Sequence, residues 1–284
     1  MVKKNNGDQM KYQQEIIIRP VSKLGHYNFH ELYRYRYLLW SMIWKDIRIN
    51  FDDMILGVFW AISLPLSMLV IFVFVRNYSG ANMYVNISYS LYLYSGLILW
   101  FHFREATAST ARSIMRDAGI IKKVYYPRII SPIVPSVSRL YTLSIAMLPL
   151  ILMMIWYRTY PDWKIVFLPV VLVQCTVLIL AIGMIFACLS VIKNDFEKFL
   201  SICLYLGLFV SPVIFAPEMI PKKGRIVYDL NPMVGTLLAF RSSLFHNFPF
   251  PIYQFTYSLL FSVILLIVGI IMYQKTEKYM ADKL

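Results

Sequence analysis

Charged side chains are scarce in this 284-residue chain, where Lys, Arg, Asp and Glu together make up 15% of the sequence. Soluble domains carry roughly 25%. Apolar residue types account for 59% of the chain, and a water-soluble globule could not keep that many side chains away from water. Lipid must therefore solvate much of the surface. The composition predicts an integral membrane protein.

Short motifs of catalysis and cofactor binding are absent as well. The chain has no GxxxxGK(S/T) phosphate loop, no HExxH or GxSxG motif and no Asp-rich metal cluster. These are common sequence signals of ATP binding, metallohydrolysis and serine hydrolysis. Its three cysteines, Cys175, Cys188 and Cys203, lie in apolar runs without metal-ligand spacing, where free cysteines behave as small buried apolar groups. We therefore expect no metal, no bound cofactor and no enzymatic activity on this chain.

What the chain has instead is a series of long apolar runs. A helix of about 20 residues, rising about 1.5 Å per residue, crosses the hydrocarbon core. The sequence predicts six spans: 54–75, 83–103, 132–156, 165–192, 199–216 and 253–273. The expected fold is an all-α integral membrane protein with a six-span domain over 54–273. Arg139, the one charged residue inside a predicted span, either extends to the nearer surface or lines an aqueous path.

Positive charges are unevenly distributed between the segments that separate these runs. Twenty Lys and Arg residues occupy one set of segments: 1–53, 104–131, 193–198 and 274–284. Seven occupy the other set: 76–82, 157–164 and 217–250. Because Lys and Arg are retained on the cytoplasmic side, both termini are predicted to be cytoplasmic. The net charge of +13 thus reflects membrane topology rather than a soluble basic face, and nucleic acid is not an expected partner.

The N-terminal segment 1–53 contains an amphipathic stretch at about 29–51, which is too polar to span. Polar side chains recur along one face, an apolar face opposes it, and Tyr and Trp side chains follow a flank. This pattern predicts a helix in the cytoplasmic interface, in contact with membrane lipids. The helix is either a plain anchor or a gate at the mouth of a path. The residues proposed for the gate are Trp40, Trp44, Lys45, Asp46 and Arg48.

The cytoplasmic segment 104–131 is long beside the six residues that join the fourth and fifth spans. Its first part favours a helix that extends the second span, and Gly119 is expected to interrupt that helix. An amphipathic element follows, made of Ile120, Ile121, Lys122, Lys123, Val124, Tyr125, Tyr126, Pro127 and Arg128. Exposed Ile, Val and Tyr side chains require a cover, so this element is predicted to dock a partner.

The segment 217–251, on the opposite side, is too apolar for a solvated loop and too interrupted for a span. Its apolar blocks are separated by prolines and glycines. Two short re-entrant helices that dip into the outer leaflet fit this pattern, and helices lying flat on the outer surface are the alternative. Asn231-Pro232 is expected to make the central turn, with Arg241 near the outer surface.

An ordered set of short motifs runs along the chain: Trp44-Lys45-Asp46-Ile47-Arg48, Leu56-Gly57-Val58-Phe59-Trp60, Tyr94-Ser95-Gly96-Leu97, Ile121 to Arg128, Ser211-Pro212-Val213-Ile214 and Asn231-Pro232-Met233 before Arg241. Together, over about residues 28–275, they resemble the ABC-2 type permeases that export O-antigen, capsular polysaccharide and teichoic acid. Two features depart from that family. Ile129 stands where the family commonly has glutamate, and Asn50 to Asp53 stand where it commonly has basic residues.

The resemblance implies a homodimeric permease in the inner membrane of a bacterium. Two copies of an ABC ATPase, which bind ATP and Mg, would dock below it and drive an undecaprenyl-linked polysaccharide outward. O-antigen is the leading substrate, and capsular polysaccharide or teichoic acid are the alternatives. A membrane-embedded enzyme that modifies lipid or glycan is the alternative from another class, but the spans lack the convergent ionisable groups that it would need. A passive anchor would not need the outer segment 217–251.

Residue roles complete the prediction. Aromatic rings pack against the C–H faces of sugars, and Tyr hydroxyls can bond sugar hydroxyls. The predicted substrate path comprises Trp60, Tyr89, Tyr92, Trp100, Arg139 and Tyr205. Tyr89, Tyr92, Gly96 and Trp100 share a helix face, where Gly96 is expected to leave room for a bulky ring. The predicted outer gate comprises Asn231, Pro232, Met233 and Arg241.

Overall fold

The chain is described from a computed structural model, which covers residues 33–52, 57–79, 87–121, 126–220, 228–246 and 248–283. These ranges contain nine α-helices and no strand. The helices are α1 Arg36–Asp52, α2 Gly57–Ser79, α3 Tyr89–Ala111, α4 Ser113–Ile121, α5 Ile130–Trp156, α6 Leu168–Ile192, α7 Asp195–Val210, α8 Pro232–Leu244 and α9 Ile252–Lys283. Two 3₁₀ turns, Trp163–Phe167 and Pro217–Met219, precede α6 and follow α7. The predicted all-α fold is confirmed over these ranges.

Among the described residues, four helical stretches are long and apolar enough to cross a membrane. They are Phe59–Tyr78, Ile130–Trp156, Trp163–Ile192 and Ile252–Thr276, at the first, third, fourth and sixth predicted spans. The predicted count of six spans is not confirmed, because α7 is too short and α3, although long enough, is not apolar enough. Helix α7 has only 16 residues, and α3 carries Arg104 and Glu105 before its end.

The ends of the two remaining helices differ from the predicted limits. Residues 87–88 precede α3 without being helical, and α3 runs past 103 to Ala111. Helix α7 begins at Asp195 rather than 199, since Asp195 and Glu197 in its first turn favour the positive end of the helix dipole. It ends at Val210 rather than 216, because Pro212 cannot continue the backbone hydrogen bonds. Residues 83–86 lie outside the described ranges.

Helix α3 occupies the centre of the fold and is buried along most of its length. It packs against α2, α5, α6 and α7, and its side chains from Leu91 to Leu99 are buried. A helix that is covered on every side belongs to the core of the bundle. Helices α8 and α9 complete the fold by packing against each other and against α6.

The connecting segments meet at two opposite ends of the bundle. At one end Lys164 donates to the carbonyl oxygens of His246 and Phe248 at 3.2 and 2.9 Å, which joins segment 157–164 to the end of segment 217–250. At the other end the Tyr273 hydroxyl donates to the Arg128 carbonyl at 2.9 Å. Each of these contacts joins parts of the chain that the distribution of Lys and Arg assigns to the same side of the membrane.

The segment between α3 and α5 is helical beyond Gly119. The helix is interrupted at Arg112, and α4 then runs through Gly119 to Ile121. The expected interruption at Gly119 is therefore wrong. No atom lies within 4 Å of a Cβ placed there, and a helical glycine costs only about 1 kcal/mol relative to alanine. At the C-terminus, the predicted tail 274–284 continues α9 as far as Lys283.

Candidate functional site

A buried arginine lies at the end of the bundle where segments 157–164 and 217–250 meet. Arg241 is on α8, and none of its side chain is exposed. Asn231 and Pro232 define the start of α8. The Asn231 side chain accepts a hydrogen bond from the Met233 backbone N–H at 3.0 Å, and Pro232 occupies the first turn of the helix. The Asn231 amide nitrogen also donates to the Ser211 hydroxyl at 2.9 Å. The start of α8 is therefore tied to the turn that follows α7.

Backbone carbonyl groups satisfy the Arg241 guanidinium. Its Nη2 donates to the carbonyls of Tyr92 and Val213 at 2.9 and 3.1 Å, and Nη1 donates to the carbonyl of Pro212. Its Nε donates to the Ser95 hydroxyl at 3.4 Å. The Pro212 and Val213 carbonyls are available because the chain leaves the helix at Ser211 and exposes carbonyls that a continuing helix would use. A buried cation requires such partners.

The Tyr92 ring completes this arrangement. The Arg241 guanidinium carbon lies 3.5 Å from the centre of that ring, a cation–π contact. The Tyr92 hydroxyl donates to the Phe215 carbonyl at 3.0 Å. One face of α3, the turn 211–215 and α8 thus form a single connected unit. We call this unit the Arg241 node, defined by Tyr92, Ser95, Gly96, Ser211 to Phe215 and Arg241.

The expectation that Gly96 leaves room for a bulky ring is wrong. A Cβ at Gly96 would collide with Arg241 Nη2 and would lie 3.2 Å from the Val213 Cα. The space beside Gly96 therefore holds the guanidinium and the backbone of the turn. The Arg241 guanidinium is enclosed by protein groups, and its place near the outer surface stays a prediction.

The residues of the predicted substrate path do not share one surface in this structure. Tyr92 and Trp100 are buried within the chain, whereas Trp60 and Tyr205 are 59% and 57% exposed. Tyr89 is also buried, and the Arg76 guanidinium lies 4.5 Å from its ring centre. Trp100 fills the groove at Gly207, where a Cβ would lie 2.8 Å from the indole. Of the aromatic set, only Trp60 and Tyr205 are open to an outside molecule.

A second polar cluster lies at the opposite end, beside the interfacial helix α1. Asp46 accepts from Arg116 Nη1 at 3.1 Å and from the Ser138 hydroxyl, and Arg116 Nε donates to Asp117 at 3.2 Å. Arg139 interacts electrostatically with Asp46. This position among charged groups at the end of the bundle favours the interpretation in which Arg139 extends to the nearer surface.

The interfacial helix is amphipathic, as its sequence predicts. Ile43 is buried against α5, while Trp40 and Trp44 are exposed. Arg48 lies 5.7 Å from the Trp44 ring centre, and Lys45 is exposed. Residues 29–32 of the predicted helix lie outside the described part of the chain. The exposed aromatic and basic side chains are of the kind that contact lipid headgroups.

The predicted docking element is described only at its two ends. Ile120 is exposed at the end of α4, and Lys122, Lys123, Val124 and Tyr125, with the side chain of Ile121, lie outside the described part. Tyr126 differs from the expected exposed residue, because it is buried against Ile43 and shares a 2.9 Å hydrogen bond with Ser131. Burial raises the pKa of its phenol. Pro127 and Arg128 are half-buried.

The described part of segment 217–251 contains helix α8, two further helical residues at 228–229 and the short turn Pro217–Met219, while residues 221–227 and 247 lie outside it. Helix α8 is buried rather than flat on the surface. A Cβ at Gly235 would overlap the Gln254 backbone of α9, so the two helices are in close contact. Sequence reasoning missed a polar chain beside this contact, in which Thr236 donates to Gln174 at 2.9 Å and Gln174 donates to Ser262 at 3.1 Å. A lone glutamine inside an apolar span is the signal that could have found it.

Comparisons with known proteins identify the family of this chain. A family model described as ABC-2 type transporter matches residues 37–245. The O-antigen export system permease protein RfbA of Klebsiella pneumoniae is 27% identical over 242 residues, which cover 84% of this chain and 91% of that protein. RfbA of Myxococcus xanthus is 26% identical over 77% of this chain and 85% of its own length. The polysialic acid transport protein KpsM of Escherichia coli is 26% identical over 84% of this chain and 93% of its own length. Since the family model covers well over half of its residues, the chain is a multi-pass membrane protein of the ABC-2 type transporter family.

Proposed function

We propose that this chain is the permease subunit of an exporter that moves a lipid-linked polysaccharide, O-antigen first among the candidates, out across the inner membrane of a bacterium. The observation that carries the proposal is the nearly full-length match to O-antigen export permeases. The matched residues 37–245 include both the cluster around Asp46 and the Arg241 node.

A partner that hydrolyses ATP is part of this proposal. The sequence has no phosphate loop, so ATP and Mg bind to two copies of an ABC ATPase. These subunits dock on the cytoplasmic element from Ile120 to Arg128. The exposed Ile120 at the end of α4 supports a docking face at this place, because an apolar side chain there gains from being covered.

A second copy of the chain is also proposed. Helix α7 buries only Leu200, Leu204 and Leu208 within the chain. Large apolar side chains cover its other face: Phe199, Ile202, Tyr205, Leu206, Phe209 and Val210. In a homodimer this face and Trp60 of α2 would border the substrate path. Both termini are placed in the cytoplasm, on the side with most of the Lys and Arg residues.

Capsular polysaccharide is the second candidate substrate. A specific observation favours it, since KpsM, a polysialic acid transport protein, is 26% identical over 93% of its own length. Teichoic acid remains a third candidate from the sequence resemblance. In each case the Arg241 node would form the wall of an outer gate with the capped start of α8, and α1 would form the cytoplasmic gate.

The test is deletion of the chain in its source bacterium, followed by analysis of the surface glycans. Loss of O-antigen with accumulation of a lipid-linked glycan inside the cell is expected, and loss of capsule alone would favour the second candidate. An unchanged set of surface glycans would contradict the proposal. A strain with an inactivated ATPase subunit is the matched control, because it should show the same accumulation.

The docking element has its own test. Replacing Val124 and Tyr125 with Asp should place charges in the contact with the ATPase, so that export falls while the permease still inserts in the membrane. The measurements are copurification of the ATPase and surface glycan per cell. Unchanged export together with unchanged assembly would refute docking at this element.

A further inference from the structure

Helix α1 is joined to the rest of the protein by an apolar cluster and by one largely buried carboxylate. It packs mainly against α5, through a cluster in which Ile43 contacts Tyr126, Ile130 and Val134. Its Trp and Tyr side chains face outward. A polar interaction adds to this apolar cluster. It is made by Asp46, which lies three residues after Ile43 on the same helix face.

The Asp46 carboxylate connects three helices. One oxygen accepts from Arg116 of α4 at 3.1 Å, and the other accepts from the Ser138 hydroxyl of α5. The carboxylate is 13% exposed, so water screens this ion pair less than it screens a surface pair. Charge-assisted hydrogen bonds of this kind are about twice as strong as neutral ones. Asp46 is therefore a specific tie between α1 and α4.

Contacts with α1 lie close to both ends of the docking element. Arg116 precedes Ile120 by one helical turn, so the two side chains lie on neighbouring positions of α4. Tyr126, on the other side of the element, is buried against Ile43. A displacement of the element by a docked protein would consequently pull on α1 at two places, through the Arg116–Asp46 pair and through Tyr126.

We propose that Asp46 is the positioning residue that makes α4 and the interfacial helix α1 move together during transport. The inference rests on the proposed function, because it requires an ATPase that pushes on residues 120–128. Helix α1 would then respond to nucleotide bound on another subunit. The ion pair adds the polar part of this coupling, and the Ile43–Tyr126 contact adds the apolar part.

The first test measures the position of α1 directly. In the assembled complex, with Cys175, Cys188 and Cys203 replaced, a single cysteine at the exposed Ile49 is labelled with a soluble thiol reagent, with and without ATP. The labelling rate is expected to change by at least about fivefold, the lower end for coupling between two sites. Asp46→Asn should abolish most of this change. An Ile49 cysteine that does not respond to nucleotide, or that responds equally in Asp46→Asn, overturns the inference.

The second test measures glycan exported per ATP hydrolysed. Asp46→Asn and Arg116→Gln should each lower this ratio, and the double variant should be no worse than Asp46→Asn alone, because Asp46→Asn already removes the ion pair with Arg116. Asp195→Asn is the control, since Asp195 forms an exposed pair with Lys198 at 3.9 Å and its loss should change nothing. Losses that multiply in the double variant, or a normal ratio in Asp46→Asn, contradict the inference.

The two tests separate the inference from the proposed function. If ATP changes the labelling at Ile49 but no glycan is exported, the proposed function fails and the tie through Asp46 stands. If glycan is exported but the labelling at Ile49 does not depend on Asp46, the inference fails and the proposed function stands. Arg116→Gln carries the test if Asp46→Asn does not accumulate, because the Arg116 side chain is 37% exposed and its removal leaves Ser138 bonded to Asp46.

Discussion

The Arg241 node predicts a specific interaction between two substitutions, Arg241→Lys and Gly96→Ala. Lysine keeps the positive charge but cannot reach all of the acceptors that the planar guanidinium bonds, since an ammonium is a compact group with fewer donors. A lost hydrogen bond to a charged group costs about 1.5–3 kcal/mol, and a desolvated cation–π contact is worth about 2 kcal/mol. Because the ammonium keeps part of both interactions, we expect Arg241→Lys to lower the free energy of unfolding by about 2–4 kcal/mol.

Gly96→Ala should destabilise the same node by overpacking. The added methyl group would collide with Arg241 Nη2, and inserting a methylene-sized group in a packed core costs about 1–3 kcal/mol. Lysine at position 241 lacks the Nη2 atom that meets this methyl group. The double variant should therefore be more stable than the sum of the single effects predicts, by about 0.5–3 kcal/mol.

The assay is unfolding of the purified permease in detergent, with tryptophan fluorescence as the signal. The four proteins compared are the wild type, the two single variants and the double variant. Gly119→Ala is the matched control. No atom lies within 4 Å of its Cβ position, so this change should leave stability equal or raise it by up to about 1 kcal/mol. Strictly additive effects of Arg241→Lys and Gly96→Ala, or a Gly96→Ala protein as stable as the wild type, would refute the packing argument.

Two further predictions concern export. Tyr205→Ala should lower export while leaving the free energy of unfolding nearly unchanged, since the Tyr205 ring is 57% exposed and surface substitutions usually stay within about 0.5 kcal/mol. The measurement is surface glycan per cell, and the control is Tyr253→Ala, at a more exposed ring on α9. Equal export by both variants would show that Tyr205 is not part of the path. A short reagent that joins two thiols through disulfides should link cysteines at Ser211 and Asn231, because the two side chains are joined by a 2.9 Å hydrogen bond, and the link should leave export intact if α8 and the turn move as one body. Export that stops on cross-linking and returns on reduction would show that they separate.

The long apolar helices could be predicted from the sequence because hydropathy and length decide them locally. The runs behind α2, α5, α6 and α9 contain enough consecutive uncharged residues to satisfy that criterion without knowledge of the fold. The role of α3 could not be predicted in the same way. Tyr, Leu and Trp are as suitable for a core helix as for a lipid-facing one, so only tertiary packing shows that α3 is enclosed by its neighbours.

The acceptors of Arg241 were beyond sequence reasoning for a different reason. Backbone carbonyls carry no residue signature, and the only local hint of free carbonyls after α7 is Pro212. Gly96 could be recognised as a place without a side chain, but the sequence does not say which group fills the space. The Asp46–Ser138 contact joins residues 92 positions apart, and a lone aspartate in an interfacial helix gives no indication of its partner.

The two polar clusters differ in what their opening would cost, and this difference bears on where transport motions begin. Separating α8 from α3 at the Arg241 node would leave a cation and several carbonyls buried without partners, a change that costs about 3–5 kcal/mol. At the other end, α1 is held by a small apolar cluster and by an Asp46–Arg116 pair whose arginine is partly exposed. Opening this pair lets Arg116 bond water, so it costs less than leaving the Arg241 cation buried without partners. Motion is therefore expected to start at α1, and any opening at the Arg241 node must move α3, the 211–215 turn and α8 together as one body.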